Sequence, residues 1–309
     1  MQRLLCTTLA FILPALVHAS DDPLTRPIVF KAAADWNGPQ APQRIHADTY
    51  YVGVHGLSSV LIHGDAGAIL IDGGLPQSAP EIEAHIRQLG FKLEDVKLIL
   101  NSHAHFDHAG GIAALQRDSG ADVLASPSGA QALRSGRVAA DDPQAGFPDN
   151  GFPAVARVRD VHDGETVRLG ALAVTAHFTP GHTPGSTTWT WRSCEDGQCL
   201  DVVYADSINA ISAPGFHYLA DTTHADLAET FRHSIDTVAN LPCDILISVH
   251  PGVADVDRKL ARIARKPKQN PFIDAQACRT YAATARSLLD ARVQRERKDA
   301  AASVDAKGK

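Results

Sequence analysis

The chain has 309 residues, 44% of them hydrophobic, enough to bury one large core or two of ordinary domain size. A net charge of -6, with no stripe of Lys and Arg, argues against a nucleic-acid partner, whose phosphates would need a basic footprint. After the N-terminus no stretch is apolar over the length of a bilayer, which argues against a membrane-spanning protein.

Residues 1–19 carry a basic start at Arg3, an apolar centre from Leu4 to Leu16, and Val17-His18-Ala19 as a small-residue cleavage site. This is a secretory signal peptide, too short in its apolar centre for an anchor, and it predicts a mature chain from near Ser20 in the periplasm or outside the cell. Cleavage removes Cys6 and leaves four cysteines, an even number in a compartment that permits disulfides. Residues 20–43 are rich in Pro and polar side chains and read as an extended arm. A domain spans 44–295, and the charged segment 296–309 is expected to fray.

From Thr49 the apolar runs Tyr50–Val52, Ser59–Ile62 and Ala68–Ile71 alternate with Gly-containing turns and predict an antiparallel meander. Asp72 closes it, either as a turn residue or as a carboxylate that orients a metal-bound histidine. Ser78 to Gly90 predicts a helix with Ser78 and Glu81 as a capping box, Ile82, Ile86 and Leu89 on its apolar face, and His85 toward solvent. Val96–Leu100 is the next strand. It runs into His103, His105, Asp107 and His108, four metal-ligating side chains within six residues, and then Gly110-Gly111. Such a polar cluster at a strand end is costly unless a cation satisfies it, and imidazole with carboxylate is the donor set of catalytic zinc. Four donors so close suggest more than one metal.

A helix beginning at Ile112 and a strand at Val123–Ala125 give the alternation a βαβ character. Gly136–Phe152 is long, aperiodic and Gly/Pro/Asp-rich, a surface loop of a length that is more often functional than idle. Strands follow over Thr166–Phe178, with His177 a satisfied strand histidine and not a ligand. His182 differs, because the turn Thr179-Pro180-Gly181-His182-Thr183-Pro184-Gly185 fixes a backbone that presents one imidazole, as a preorganised ligand requires. Tyr204-Ala205-Asp206-Ser207 again places polar side chains after an apolar run. The helix Ala225–Asn240 buries Leu227, Phe231, Ile235 and Val238 and leaves His224 and His233 outside, and the strand Ile245–Val249 ends in His250.

Together HAHFDHAGG, TAHFTPGHTPGSTTWTW, YADS and SVHPG resemble the metallo-β-lactamase superfamily, specifically subclass B3, from about Tyr50 to Cys278. The resemblance implies an α/β fold, the αββα sandwich of two mixed sheets packed face to face with helices outside. It implies two zinc ions per chain, one held by His103, His105 and His182 and the other by Asp107, His108 and His250. The implied reaction is hydrolysis of the β-lactam amide by a metal-bridging hydroxide held by Asp107, with no acyl-enzyme. Ser207 would bind the substrate carboxylate, as the subclass pattern has it, with Asn209 standing where a second hydroxyl is common. In glyoxalase II-like relatives an Asp near Asp206 bridges both metals, so Asp206 has two possible roles. Another hydrolase of the same fold, acting on a lactone, thioester or phosphoester, and a non-catalytic periplasmic zinc-binding protein remain as alternatives. A monomer with a small-molecule β-lactam substrate and no membrane anchor is expected.

Four cysteines allow three pairings. Cys194 and Cys199 bracket a polar Asp-Gly turn and are expected to face one another across a hairpin. Cys243 precedes the strand that delivers His250, and the resemblance supports its bridge to Cys278.

Overall fold

The architecture follows from a period of two along the strands. In the computed structural model, which describes residues 22–220 and 225–307, β3 (Val60–Gly64) and β4 (Gly67–Ile71) send Val60, Ile62, Ile69 and Ile71 into one core and Leu61, Ala68 and Leu70 into another. Successive side chains point to opposite faces, so a strand that reads as a continuous apolar run must be covered on both. The first core lies between two sheets and the second lies under helices.

Among the described residues, one sheet has the order β1-β2-β3-β4-β5-β6-β7, adding β1 (Gln43–His46), β2 (Thr49–Tyr51), β5 (Val96–Leu100), β6 (Asp122–Ala125) and β7 (Val158–Asp160). Strands β1 to β4 pair antiparallel as the expected meander, and β4 to β7 pair parallel. The other sheet has the order β12-β11-β10-β9-β8, from β8 (Thr166–Leu169), β9 (Leu172–Phe178), β10 (Thr187–Glu195), β11 (Gln198–Ala205) and β12 (Ile245–Ser248). Its pairs are antiparallel except β11 with β12. Trp189, Trp191, Val202, Tyr204, Ile245 and Ile247 meet the first sheet in the shared core. Val203, Ala205 and Leu246 face the opposite way, under helices. Each fully buried Val, Leu or Ile contributes about 1.5–3 kcal/mol, so the shared core holds the two sheets together. This is the αββα sandwich.

The helices are α1 (Ala33–Trp36), α2 (Ala79–Gln88), α3 (Phe106–Ala109), α4 (Ile112–Ser119), α5 (Pro127–Ser135), α6 (Ala228–Asn240), α7 (Val256–Ile263) and α8 (Ala277–Lys307). Helices α2, α4 and α5 cover the first sheet, while α6 and α8 cover the second. The structure joins Cys194 to Cys199 across the β10–β11 hairpin and Cys243 to Cys278 between the start of β12 and α8.

Four local expectations are corrected. The Ser78–Glu81 capping box does not form, because a 3-10 turn at Pro76–Ser78 precedes α2 and the Ser78 hydroxyl instead accepts from Leu75 N and donates to Asn37 Oδ1. His85 is buried, not solvent-facing; one ring nitrogen lies 2.9 Å from the Val52 carbonyl and the other 3.1 Å from Glu81. The arm is not extended throughout: α1 interrupts it, Phe30 and Trp36 pack on Val54, Leu57 and Leu75, and the Gln77 amide bonds both backbone groups of Ile28. Where a frayed tail was expected from residue 296, Glu296 is buried and bonded and the helical assignment of α8 runs on to Lys307. The expected signal peptide, residues 1–19, and His224 lie outside the described residues.

Candidate metal centre

The chain turns sharply after β5 because Asp72, at the end of β4, collects the loop. Its carboxylate accepts from Ser102 N at 2.7 Å, Ser102 Oγ at 2.6 Å, Asn101 Nδ2 at 3.1 Å and the Tyr204 hydroxyl at 2.9 Å. Asp72 therefore builds the turn, with only a 3.9 Å approach to His108 Nδ1. His105 then caps α3, whose single turn presents Asp107 and His108 to the same point. Gly111 is required next, since an added Cβ would fall 2.2 Å from the Gly73 carbonyl oxygen. The site gathers the C-terminal ends of β4, β5, β9, β11 and β12, the usual place for ligands in sheets with parallel strands.

Two sets of donors converge. His103, His105 and His182 each place a donor atom within 4.8 Å of the other two, with ring centroids 4.8, 4.8 and 5.0 Å apart. In the second set Asp107 Oδ2 lies 3.2 Å from His108 Nε2 and 3.4 Å from His250 Nε2, and the two imidazole nitrogens are 3.2 Å apart. A tetrahedral zinc with bonds of about 2.0–2.1 Å has ligand atoms about 3.3–3.4 Å from one another. The Asp107–His108–His250 triangle has that size. His103, Asp107 and His108 also fall within 4.8 Å, so the two sets adjoin.

The outer nitrogens are already committed. His103 Nδ1 lies 2.6 Å from Asp206 Oδ1, His105 Nε2 3.1 Å from Asp142 Oδ2, His182 Nδ1 2.9 Å from the Asn209 carbonyl, and His250 Nδ1 3.2 Å from the Gly56 carbonyl. Carbonyls and carboxylates accept, so each of these nitrogens carries the proton and its partner in the ring is left with a lone pair aimed inward. His103 Nε2 is buried without a hydrogen-bond partner. That orphaned nitrogen, in a buried donor set of imidazoles and a carboxylate, fits a divalent cation.

Electrostatics point the same way. Burial, reinforced by His108, His105 and His182, holds His103 well below the ordinary imidazole range. Burial, then His105, brings His182 down to about 3. Both rings are thus neutral, the form that binds metal. Burial alone would raise Asp107, but His108 and then His250 outweigh it and keep its carboxyl well below the usual range. Asp206 and Asp72 are pushed up by burial, since no Lys or Arg is among the partners that lower them. A cation is what such a cluster lacks.

A cavity of about 450 Å³ opens over the donors, lined by His105, Asp107, His182 and His250 with Ser207, Asn209 and Gln144 and walled by Trp36, Phe106, Ile211 and Val253. A larger groove of about 750 Å³ runs over β8–β10, and neither donor set lies on it. All six sequence-derived ligands, together with Ser207 and Asn209, come to this one place. Asp206 does not enter either donor set; it sits behind the His103 ring. His177 bonds Thr190 Oγ1 at 2.9 Å, and His233 is exposed.

Three contributors escaped the sequence. Asp142 and Gln144 come from the 136–152 loop, whose length signalled function but whose aperiodic run of acids could not say which one faces inward. Trp36, its ring 5.1 Å from that of His250, comes from the arm, where the only available signal was one of two aromatics, Phe30 and Trp36, in a Pro-rich polar segment.

Residues 52–250 match the family model described as Metallo-beta-lactamase superfamily. The chain belongs to this superfamily. Within it, this metallo-β-lactamase-fold chain is 55% identical to MEM-A1, a subclass B3 metallo-beta-lactamase from a soil metagenome library, with a TM-score of 0.82 over 86% of this chain and 100% of that one. It is 50% identical to the Rm3 metallo-beta-lactamase, with a TM-score of 0.83 over 87% of this chain and 100% of that one. These likenesses place it in subclass B3. Among curated relatives it is 31% identical to a hydroxyacylglutathione hydrolase of Anaeromyxobacter dehalogenans over 194 residues, which are 62% of this chain and 59% of that protein. The chain thus spans less than two thirds of that relative's length.

Proposed function

We propose that this chain is a zinc-dependent β-lactamase that opens the β-lactam amide by direct attack of water, with two zinc ions per chain. The observation that supports it most is the pair of adjoining donor sets beneath a cavity with no cysteine among its described lining residues, in a chain 55% identical to a subclass B3 metallo-beta-lactamase. His103, His105 and His182 would hold one ion and Asp107, His108 and His250 the other. Bound zinc polarises a carbonyl and brings the pKa of water close to neutrality. Asp107 orients the attacking water through its carboxylate. Ser207 and Asn209 donate hydrogen bonds to the substrate carboxylate, and their role is sharpened because the cavity has no Lys or Arg lining it. Trp36, Phe106 and Ile211 shield the scissile bond and receive the apolar substituents. Water adds to the carbonyl carbon, the C–N bond breaks, and the ring nitrogen takes up a proton; no covalent enzyme intermediate is needed.

The proposal extends to the setting. Residues 1–19 direct the chain to the periplasm or beyond, the Cys194–Cys199 and Cys243–Cys278 bridges form there, and the mature enzyme acts as a monomer. A thioester hydrolase is the second reading, supported by the hydroxyacylglutathione hydrolase relative. Against it stands Asp206, which faces the outer nitrogen of His103 where a metal-bridging carboxylate would face the ions. The deciding experiment gives the zinc-loaded protein a chromogenic cephalosporin, a lactone and a glutathione thioester side by side. Cephalosporin turnover abolished by a strong chelator is the expected result. Turnover that survives the chelator, or preference for the thioester, overturns the proposal.

A further inference from the structure

We infer that Arg292 and Glu296, on the far C-terminal helix, are positioning residues of the metal centre. The segment from Ser207 to Leu219 has no regular secondary structure, yet it supplies Ser207 and Asn209 to the cavity and the Asn209 carbonyl to His182. Backbone without a ladder needs other partners to keep one conformation. Here α8 provides them. Glu296, buried, accepts from Tyr218 N at 2.9 Å and Leu219 N at 3.0 Å. Arg292 donates to the Phe216 carbonyl at 2.7 Å, to Ser212 Oγ at 3.0 Å and to Glu296 Oε1 at 2.6 Å.

The pinned segment transmits this inward. The Tyr218 hydroxyl donates to the Ile211 carbonyl at 3.2 Å, two residues from Asn209, and Ala213 N donates to the Pro143 carbonyl at 2.8 Å, between Asp142 and Gln144. One partly buried ion pair, with Glu296 buried and Arg292 half-buried, therefore anchors two of the loops that touch the donor sets from outside, through the Asn209 carbonyl on His182 and the Asp142 carboxylate on His105. The i, i+4 spacing of Arg292 and Glu296 puts both on the face of α8 that buries Leu289 and Val293, so the pair is built into the helix docking. A fork of donors on Arg and a two-oxygen acceptor on Glu suit a backbone segment that offers several groups at once.

The inference rests on the β-lactamase reading for its kinetic arm only. The test compares the zinc-loaded mature chain with Glu296→Ala, Glu296→Gln and Arg292→Lys. Three things are measured: KM and kcat for a cephalosporin, the chelator concentration that removes half the zinc, and chymotryptic cleavage at Phe216 and Tyr218. We expect Glu296→Ala to raise KM about 10-fold with a smaller change in kcat, as displaced positioning groups do. It should also lose zinc at about 10-fold lower chelator and be cleaved faster, with the two conservative variants between it and the parent. If the variants lose thermal stability but keep the parental KM, chelator resistance and cleavage rate, the pair merely docks the helix and the inference is wrong. If the parent does not hydrolyse cephalosporins, the functional reading fails, while zinc retention and cleavage still decide the positioning role. Unchanged zinc retention and cleavage in Glu296→Gln and Arg292→Lys overturn it even where Glu296→Ala does not fold.

Discussion

Ser207 is buried at the cavity wall, and under the proposed function its hydroxyl would meet the substrate carboxylate, since no Lys or Arg is among the described lining residues. A contact present in ground and transition states alike affects KM more than kcat, so Ser207→Ala should raise KM with little change in turnover. The loss should be about 1–2 kcal/mol, the range for one hydrogen bond to a charged group. Steady-state kinetics on a cephalosporin checks this, and an unchanged KM assigns the carboxylate to another residue. Asp107 and Asp206 make a sharper comparison, because one carboxylate lies in a donor set and the other behind a ligand. Asp107→Ala should empty the second metal position, whereas Asp206→Ala should weaken zinc binding about 10- to 100-fold through the freed His103 ring. Metal analysis after dialysis separates them; loss of all zinc in Asp206→Ala alone would favour the bridging role. His182 gives a pH signature. Its folded pKa of about 3 lies below the unfolded value of 6.5, so the unfolded state binds the extra proton between them. Its share of stability is therefore present above pH 6.5 and lost as pH falls toward 3. In chelator, thermal melts of the parent should drop more steeply on acidification below pH 6.5 than those of His182→Gln, and parallel slopes would contradict the burial of this ring.

At the scale of elements, the 136–152 loop reaches His105 through one carboxylate. Asp142 holds His105 and also accepts from Gln144 N at 2.7 Å, so it ties the loop's conformation to a ligand's orientation. Asp142→Asn should reduce zinc affinity about 10- to 100-fold while leaving thermal stability of the chelated protein nearly unchanged, since the loop adds little to the core. Competition with a fluorescent chelator measures it; parental affinity in the variant would reduce Asp142 to a loop-turn residue. The β9–β10 turn works differently, by shape. Gly181 has φ of 145° and an added Cβ would strike the Phe231 ring at 2.3 Å, so α6 fixes the turn that presents His182. This is why the Pro/Gly-rich turn was readable as a ligand platform, while the helix that backs it was readable only as an amphipathic stretch.

For the whole molecule, the two bridges differ in what they close. Cys243 and Cys278 are 35 positions apart and attach α8 to the sheet that delivers His250, whereas Cys194 and Cys199 are five apart in a hairpin already held by its ladder. In the chain-entropy model the longer bridge contributes roughly 3–4 kcal/mol and the shorter one less. Reduction should therefore lower the melting temperature chiefly through Cys243–Cys278, with zinc content unchanged because no cysteine belongs to either donor set. Melts of Cys243→Ser and Cys194→Ser chains, with zinc measured in each, check both halves, and an equal or larger loss in Cys194→Ser would refute the ranking.

What the sequence determined by itself was local and patterned. Apolar runs located strands such as β3, β4 and β12 because each is buried on both faces, and the spacing of His103, His105, Asp107 and His108 located the metal loop because donors one to five residues apart need no long-range folding to meet. His182 and His250 were legible as strand-end histidines. Only the tertiary structure decided what holds them. The acceptors on their outer nitrogens are the carbonyls of Asn209 and Gly56, 27 and 194 residues away, and backbone carbonyls carry no sequence signal. The same holds for His85, buried by a contact with the Val52 carbonyl, and for Glu296, whose place in a charged C-terminal run reads as a solvated tail until the amides of Tyr218 and Leu219 are brought to it. Ligand identity is a property of side-chain type and spacing; ligand orientation is set by backbone groups that only folding brings within reach.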